Sequence, residues 1–256
     1  MLWGALSCFP DVGFSQPQSS HKEDERAQFL HEFHDNRLKR KLALGQMGEP
    51  HLAAELQRES LEGREPFNSL AYEIIVKKGP TFCVTFRHLL SKPDRSSFLL
   101  LLALRKICPT DYQQIPAKVR VNILVDALRH AKSFNAWGLP HIRWHEAAEA
   151  LIAEKDAARP ALVALLKAEG SSDAPVQGLQ SYDAYRKYKY RLKDYAWALL
   201  NQINDKAIPI PADPTIRDSL IKELAKRKGF EKNIPPKDLT APAAPVLKEP
   251  GAIVVE

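Results

Sequence analysis

The chain has 256 residues, of which 45% are hydrophobic, and a formal net charge of +6. That length and apolar content are enough for a real core, in one large domain or a stack of small units. Its 11 glycines stand singly and no run of β-branched residues alternates with polar ones, so helices are favoured and no phosphate-cradling glycine loop is present. The charge permits acidic partners without requiring them.

Residues 1–18, MLWGALSCFPDVGFSQPQ, contain no Lys or Arg and differ sharply from the charged stretch that follows. They read as a signal peptide or as a disordered leader. Gly13-Phe14-Ser15 supplies small residues near a cleavage point, whereas the basic n-region is missing and Pro10 and Asp11 interrupt the apolar run. The expectation is export, to a periplasm or outside the cell, through a signal whose start is truncated; the chain is cytoplasmic otherwise. Ala5-Leu6-Ser7-Cys8 is a poor lipid-attachment motif. Without the leader, Cys83 and Cys108 remain. They either pair in an oxidising compartment or serve as small buried hydrophobes, and spacing alone does not decide. The apolar run at 98–104 is too short to span a membrane, so no membrane span is expected.

Residues 19–65 read as charged N-terminal helices. The first covers 20–48, where Phe29, Leu30, Phe33, Leu38 and Leu42 make no clean stripe; the second covers 50–62 and stops at Gly63. From Pro66 the pattern becomes regular. A helix over 68–78 turns Leu70, Ile74 and Ile75 inward. Gly79-Pro80 makes a turn, and 81–90 carries Phe82, Cys83, Phe86 and Leu89 on one side. The helix over 95–108 is apolar enough to be covered on most sides. Pro109 and Pro116 bracket a short connector, 117–132 presents Val121, Leu124, Val125 and Leu128 at helical spacing, and 135–140 is a loop.

Residues 142–170 form the best-defined unit. Ala147, Ala148, Leu151 and Ile152 make an apolar face on a first helix, with Glu146, Glu149 and Glu154 towards its other side. Asp156 is a cap or turn residue, Pro160 fits the first turn of a second helix, Leu162, Val163, Leu165 and Leu166 give that helix its apolar surface, and Gly170 ends it. Second helices thus begin after Pro80, Pro116 and Pro160, at intervals of 36 and 44 residues.

The run Ala147-Ala-Glu-Ala-Leu-Ile152, an acidic turn, then Pro160-Ala-Leu-Val-Ala-Leu-Leu166 resembles a HEAT-like repeat, clearly over one unit and loosely over 68–203. The resemblance implies an all-α fold: a short right-handed α-solenoid of HEAT-like helical hairpins over 66–204, with disordered termini. It also implies a protein-binding scaffold with no catalytic residues of its own. Residues 181–204 are expected to form the longest helix of this region, with Tyr188, Leu192, Tyr195 and Leu199 inward and Arg186, Lys187, Lys189, Arg191 and Lys193 as a polar outer face that closes the stack. A linker and basic helix follow over 205–229, capped by Asp213, and then a Pro-rich disordered tail over 230–256.

His141 and His145 stand four residues apart, a spacing that can share a metal, with Glu149 on the same face, but no further ligand pattern supports it. No motif asks for a catalytic residue, cofactor or metal. The tyrosines and cations of 182–195 suit nucleic acid by stacking and phosphate contact, and suit an amphipathic helix better. The expected function is therefore a non-enzymatic scaffold for another protein, with a nucleic-acid binder as the alternative. The partner-binding surface expected from sequence comprises Trp137, His141, Trp144, His145, Arg186, Lys187, Lys189 and Arg191.

Overall fold

The structure is a computed structural model that describes residues 19–131, 136–140, 143–167, 188–206 and 208–226. Residues 1–18, read from sequence as a leader, 168–187, and those from 227 onward, read as part of a linker, helix and tail, lie outside the described residues. Eleven α-helices form among those described: α1 (Ser19–Gly45), α2 (Glu49–Leu61), α3 (Leu70–Lys78), α4 (Cys83–Leu90), α5 (Ser97–Ile107), α6 (Pro109–Gln114), α7 (Ala117–Arg129), α8 (Glu146–Ala153), α9 (Arg159–Lys167), α10 (Leu192–Ile203) and α11 (Pro214–Lys226). Among the described residues the protein is all-α apart from one antiparallel pair of two-residue strands, β1 (Gly138–Leu139) and β2 (Arg143–Trp144). No described helix is long and apolar enough to cross a membrane.

The chain divides into two compact units, residues 1–47 and 48–256. The first holds α1, whose Phe29, Leu30, Phe33, Leu38 and Leu42 are all exposed. The second unit takes in α2, which packs against α3, α4 and α5. α2 thus belongs to the second unit by its packing.

The second unit is assembled around α5. Leu99, Leu100, Leu101, Leu102, Ala103 and Leu104 are each 0% exposed, so this helix is enclosed on every side. α2, α3, α4, α6, α7 and α8 all pack against it. A helix with no polar face has to be surrounded, and each large aliphatic side chain so buried contributes roughly 1.5–3 kcal/mol. Local chemistry sets the helix limits. The Ser69 hydroxyl accepts from the Tyr72 amide at 2.9 Å to cap α3, and Gly79, at φ +79°, ends it. Asp94 accepts from the Ser96 amide at 2.8 Å, and α5 begins only at Ser97. The Asp213 carboxylate accepts from the Thr215 amide at 2.7 Å at the start of α11, as its sequence position suggests.

Cys83 and Cys108 are joined in a disulfide that ties the first residue of α4 to the junction between α5 and α6. Their Cα atoms are 5.9 Å apart, within the usual range for a disulfide.

The structure differs from the sequence reading in several places. The connector after Pro109 is a helix, α6, with Pro109 in its first turn and Tyr112 buried. The loop after residue 135 contributes β1. Gly138 there has φ +80°, and a Cβ on it would lie 1.8 Å from the Arg143 carbonyl oxygen, so only glycine lets the two strands approach. The single helix expected over 181–204 is broken. Lys189 has φ +45°, Arg191 is extended, and α10 starts afresh at Leu192. The physical cause is a new helix cap: the Arg191 amide donates to the Asp194 carboxylate at 2.8 Å.

Two stability measurements test this assembly. Replacing Leu101 by Ala is expected to lower the unfolding free energy by about 2–5 kcal/mol in chemical denaturation. Replacing both Cys83 and Cys108 by Ser is expected to lower it by about 3.5 kcal/mol, from the size of the loop that the disulfide closes.

Candidate functional site

Two clefts open on the second unit where α5 ends and α8 begins. The larger, about 600 Å³, is lined by Arg105, Lys106, Tyr112, Arg120, Glu149 and Glu154 among others. The smaller, about 370 Å³, is lined by Pro66, Phe67, Tyr72, Val76 and His145 among others. Lys106 and Glu146 line both, so the two form one groove.

The enclosed helix α5 places its first charged residues, Arg105 and Lys106, at the groove. α8 enters from the other side with Glu146 and Glu149 in its first turn. The Tyr72 hydroxyl donates to Glu146 Oε1. Lys106 Nζ lies 3.9 Å from Glu146 Oε2 and 5.9 Å from the centre of the Tyr72 ring. Burial, and then the Glu146 charge, push the Tyr72 phenol well up, so it stays a donor at neutral pH.

Glu154 sets the other wall. It accepts from the Tyr112 hydroxyl at 2.8 Å and from Arg120 Nε and Nη2 at 2.7 Å each. Arg120 also donates to the Ile115 carbonyl and lies over the Tyr112 ring, 4.8 Å from its centre. The carboxylate that the helical pattern sends towards solvent is thus buried, at 9% exposure. The turn after α8 swings it under α6 and α7, where a phenol and a guanidinium satisfy it. Asp156 is a turn residue, in the short 3-10 turn Lys155–Ala157 between α8 and α9, and its carboxylate accepts from Arg159 Nε at 2.6 Å.

The expected surface residues fall into three groups. His145 lines the groove at the N-cap of α8; burial, and then the Arg143 charge, lower its pKa. Trp144 is half-buried on β2, and Lys189 is exposed. Trp137 is 1% exposed and stacks on Phe98 with ring centres 6.3 Å apart, so it belongs to the packing. Arg191 is also buried, where it pairs with Asp194 and with Asp218, each at 2.9 Å. Lys193 reaches Asp218 at 3.0 Å. These cations hold α11 to α10 rather than forming an outward basic face. Tyr190 and Tyr195 are buried as well, and the Tyr195 hydroxyl donates to the Gly138 carbonyl at 2.8 Å. His141, Arg186 and Lys187 lie outside the described residues, as does the start of the tyrosine-rich stretch.

Sequence reasoning missed Tyr72, Lys106, Tyr112, Arg120 and Glu154. Each belongs to a different helix or turn, and only the tertiary packing brings them together. Among the described residues, Cys83, Cys108 and Asp111 bring metal-ligand atoms within 4.8 Å of one another, but both sulfurs are committed to the disulfide.

The fold and groove define an all-α protein with a polar cleft of mixed charge. No protein-family profile, curated protein sequence or solved structure matches the chain.

Breaking the Arg120–Glu154 pair with Glu154→Ala is expected to cost about 3–5 kcal/mol in denaturant titration, because it strands a buried guanidinium. The Asp218 carboxyl behaves differently. Burial works against its charge, but Arg191 and Lys193 outweigh that and hold it below its ordinary value of 3.8. A depressed pKa gives stability that is present above the unfolded value and lost as pH falls through the folded one. Asp218→Asn is therefore expected to lower the melting temperature at pH 7, and the gap from wild type is expected to close below about pH 4.

Proposed function

We propose that the protein is a non-enzymatic helical scaffold whose groove between α3, α5, α6 and α8 receives a segment of another protein. The observation that carries this reading is the groove itself, in which Lys106 and Glu146 present both charge signs between a polar and a more apolar cleft. Its acids and phenols engage one another in fixed pairs, Tyr72 with Glu146 and Tyr112 with Glu154. Such pairing suits recognition by shape and charge better than proton transfer. Phe67, 62% exposed at the rim, offers an apolar anchor.

The HEAT-like α-solenoid remains the proposed architecture. Support comes from the succession in which α3 packs on α5, α5 on α8 and α8 on α10, with α7 on α9 and α9 on α11 behind them. The six neighbours of α5 are more than a simple stack of hairpins requires. Export is supported by the Cys83–Cys108 disulfide, since such bonds persist in oxidising compartments. The nucleic-acid alternative has less support, because Tyr190, Arg191 and Tyr195 are buried.

Two measurements check these readings. A partner captured by the folded protein is expected to bind at least about tenfold more weakly to Phe67→Asp or Lys106→Glu, as for anchor residues of an interface, and equally well to Glu223→Lys on α11. Equal binding to all three would remove the groove from consideration. Mass spectrometry of the native N-terminus is expected to find a start between residues 16 and 18, and a retained Met1 would contradict export.

A further inference from the structure

The larger cleft of the groove holds a cation that its acids leave unmatched. Arg105, Lys106 and Arg120 line it, and so do Glu146, Glu149 and Glu154, so the charges balance in number. They do not balance in pairing. Glu154 is taken by Arg120 and the Tyr112 hydroxyl. Glu146 is taken by the Tyr72 hydroxyl, with Lys106 at 3.9 Å. Glu149 is exposed, and its charge acts on His145. Among the described residues, none of the three acids forms an ion pair with Arg105. Burial raises the pKa of the Tyr72 and Tyr112 phenols, and the Arg105 charge works against that in each, so the guanidinium acts on both. Both hydroxyls already donate to acids, so neither phenol offsets that charge. A half-buried guanidinium beside such a cleft presents a planar fork of donors that an arriving anion can complete.

We propose that the larger cleft receives the side-chain carboxylate of an Asp or Glu on the partner segment, held by Arg105, while a neighbouring apolar residue of that segment seats against Phe67. This rests on the groove being a protein-binding site and names the chemistry of what it binds. Charge selects the ligand. One unmatched guanidinium suits one negative charge, and the planar carboxylate fits its fork with two parallel hydrogen bonds. A phosphate would bring nearly two negative charges to a cleft that Glu146, Glu149 and Glu154 also line. A basic segment would meet Arg105 and Lys106 directly. The two clefts are continuous through Lys106 and Glu146, so a segment can run past Arg105 rather than end there, which favours a side chain over a chain terminus. In the smaller cleft Phe67, Pro66 and Val76 supply the apolar surface.

The test is selection by the full chain from a library of short random peptides, acetylated and amidated so that only side chains carry charge. The expected result is retention of peptides in which an acid stands near an apolar residue. Changing that acid to Asn or Gln is expected to weaken binding at least about tenfold, as for a hydrogen bond between charged groups. Arg105→Gln is expected to weaken the selected peptides by a similar factor and to erase the difference between acid and amide. Arg105→Lys is expected to restore part of it, because the charge returns without the fork. Phe67→Ser is expected to weaken binding but to keep the preference for an acid. Unchanged melting temperatures are expected for the Arg105 variants, since that side chain holds no ion pair within the groove, and they establish that the variants fold. Retained peptides with no preference for an acid, or a preference that survives Arg105→Gln, would overturn the assignment while leaving the groove as a protein-binding site. Tighter retention with phosphoserine in place of the acid, or binding only by peptides with a free C-terminus, would overturn the choice of a carboxylate side chain. Retention of no peptide would overturn the assignment together with the reading on which it rests.

Discussion

The enclosure of α5 is the constraint on which the second unit depends. A helix whose residues from Leu99 to Leu104 are all inaccessible has no side left for water, so other helices must complete its surface. α2, α3 and α4 come from before it in the chain, and α6, α7 and α8 from after it. The same helix fixes the groove, because the apolar run stops at Leu104 and the next two residues, Arg105 and Lys106, emerge into the cleft. Cys108 follows within a turn, and its disulfide to Cys83 holds α4 against the same end.

Buried charge does the finer positioning. The Arg120–Glu154 pair connects α7 to the turn after α8, and the Arg191, Asp194 and Asp218 cluster connects α10 to α11. Desolvating such pairs offsets much of their mutual attraction, so they add less stability than their distances suggest. They do penalise other arrangements, since a shifted helix would leave a guanidinium or carboxylate buried alone. Apolar burial around α5 supplies the drive to collapse, and these pairs select one register among the helices.

Much of the helix pattern was legible in the sequence because it rests on local signals. Apolar spacing marked α5, α7 and α9, Pro160 marked the start of α9, and Asp213 marked the start of α11. The failures came where a distant group changed the meaning of a residue. Glu154 looks like a solvent-facing acid until Arg120, 34 positions away, is brought beside it. Arg191 looks like part of a basic face until Asp218 arrives from another helix. The break at Lys189 is concealed because good helical spacing continues through it. Of the expected surface, His145 lines the groove, whereas Trp137 is core. The groove's own charged residues are spread over four helices and a turn, and no local pattern announces them.

The central proposal is that the groove beside the end of α5 receives a segment of another protein. A photo-crosslinking amino acid placed at Phe67, compared with the same group at the equally exposed Leu61 of α2, tests it most directly in the organism that makes the protein. The account predicts a discrete crosslinked partner from position 67 and none from position 61. The same adducts from both positions, or adducts from position 61 alone, would contradict it.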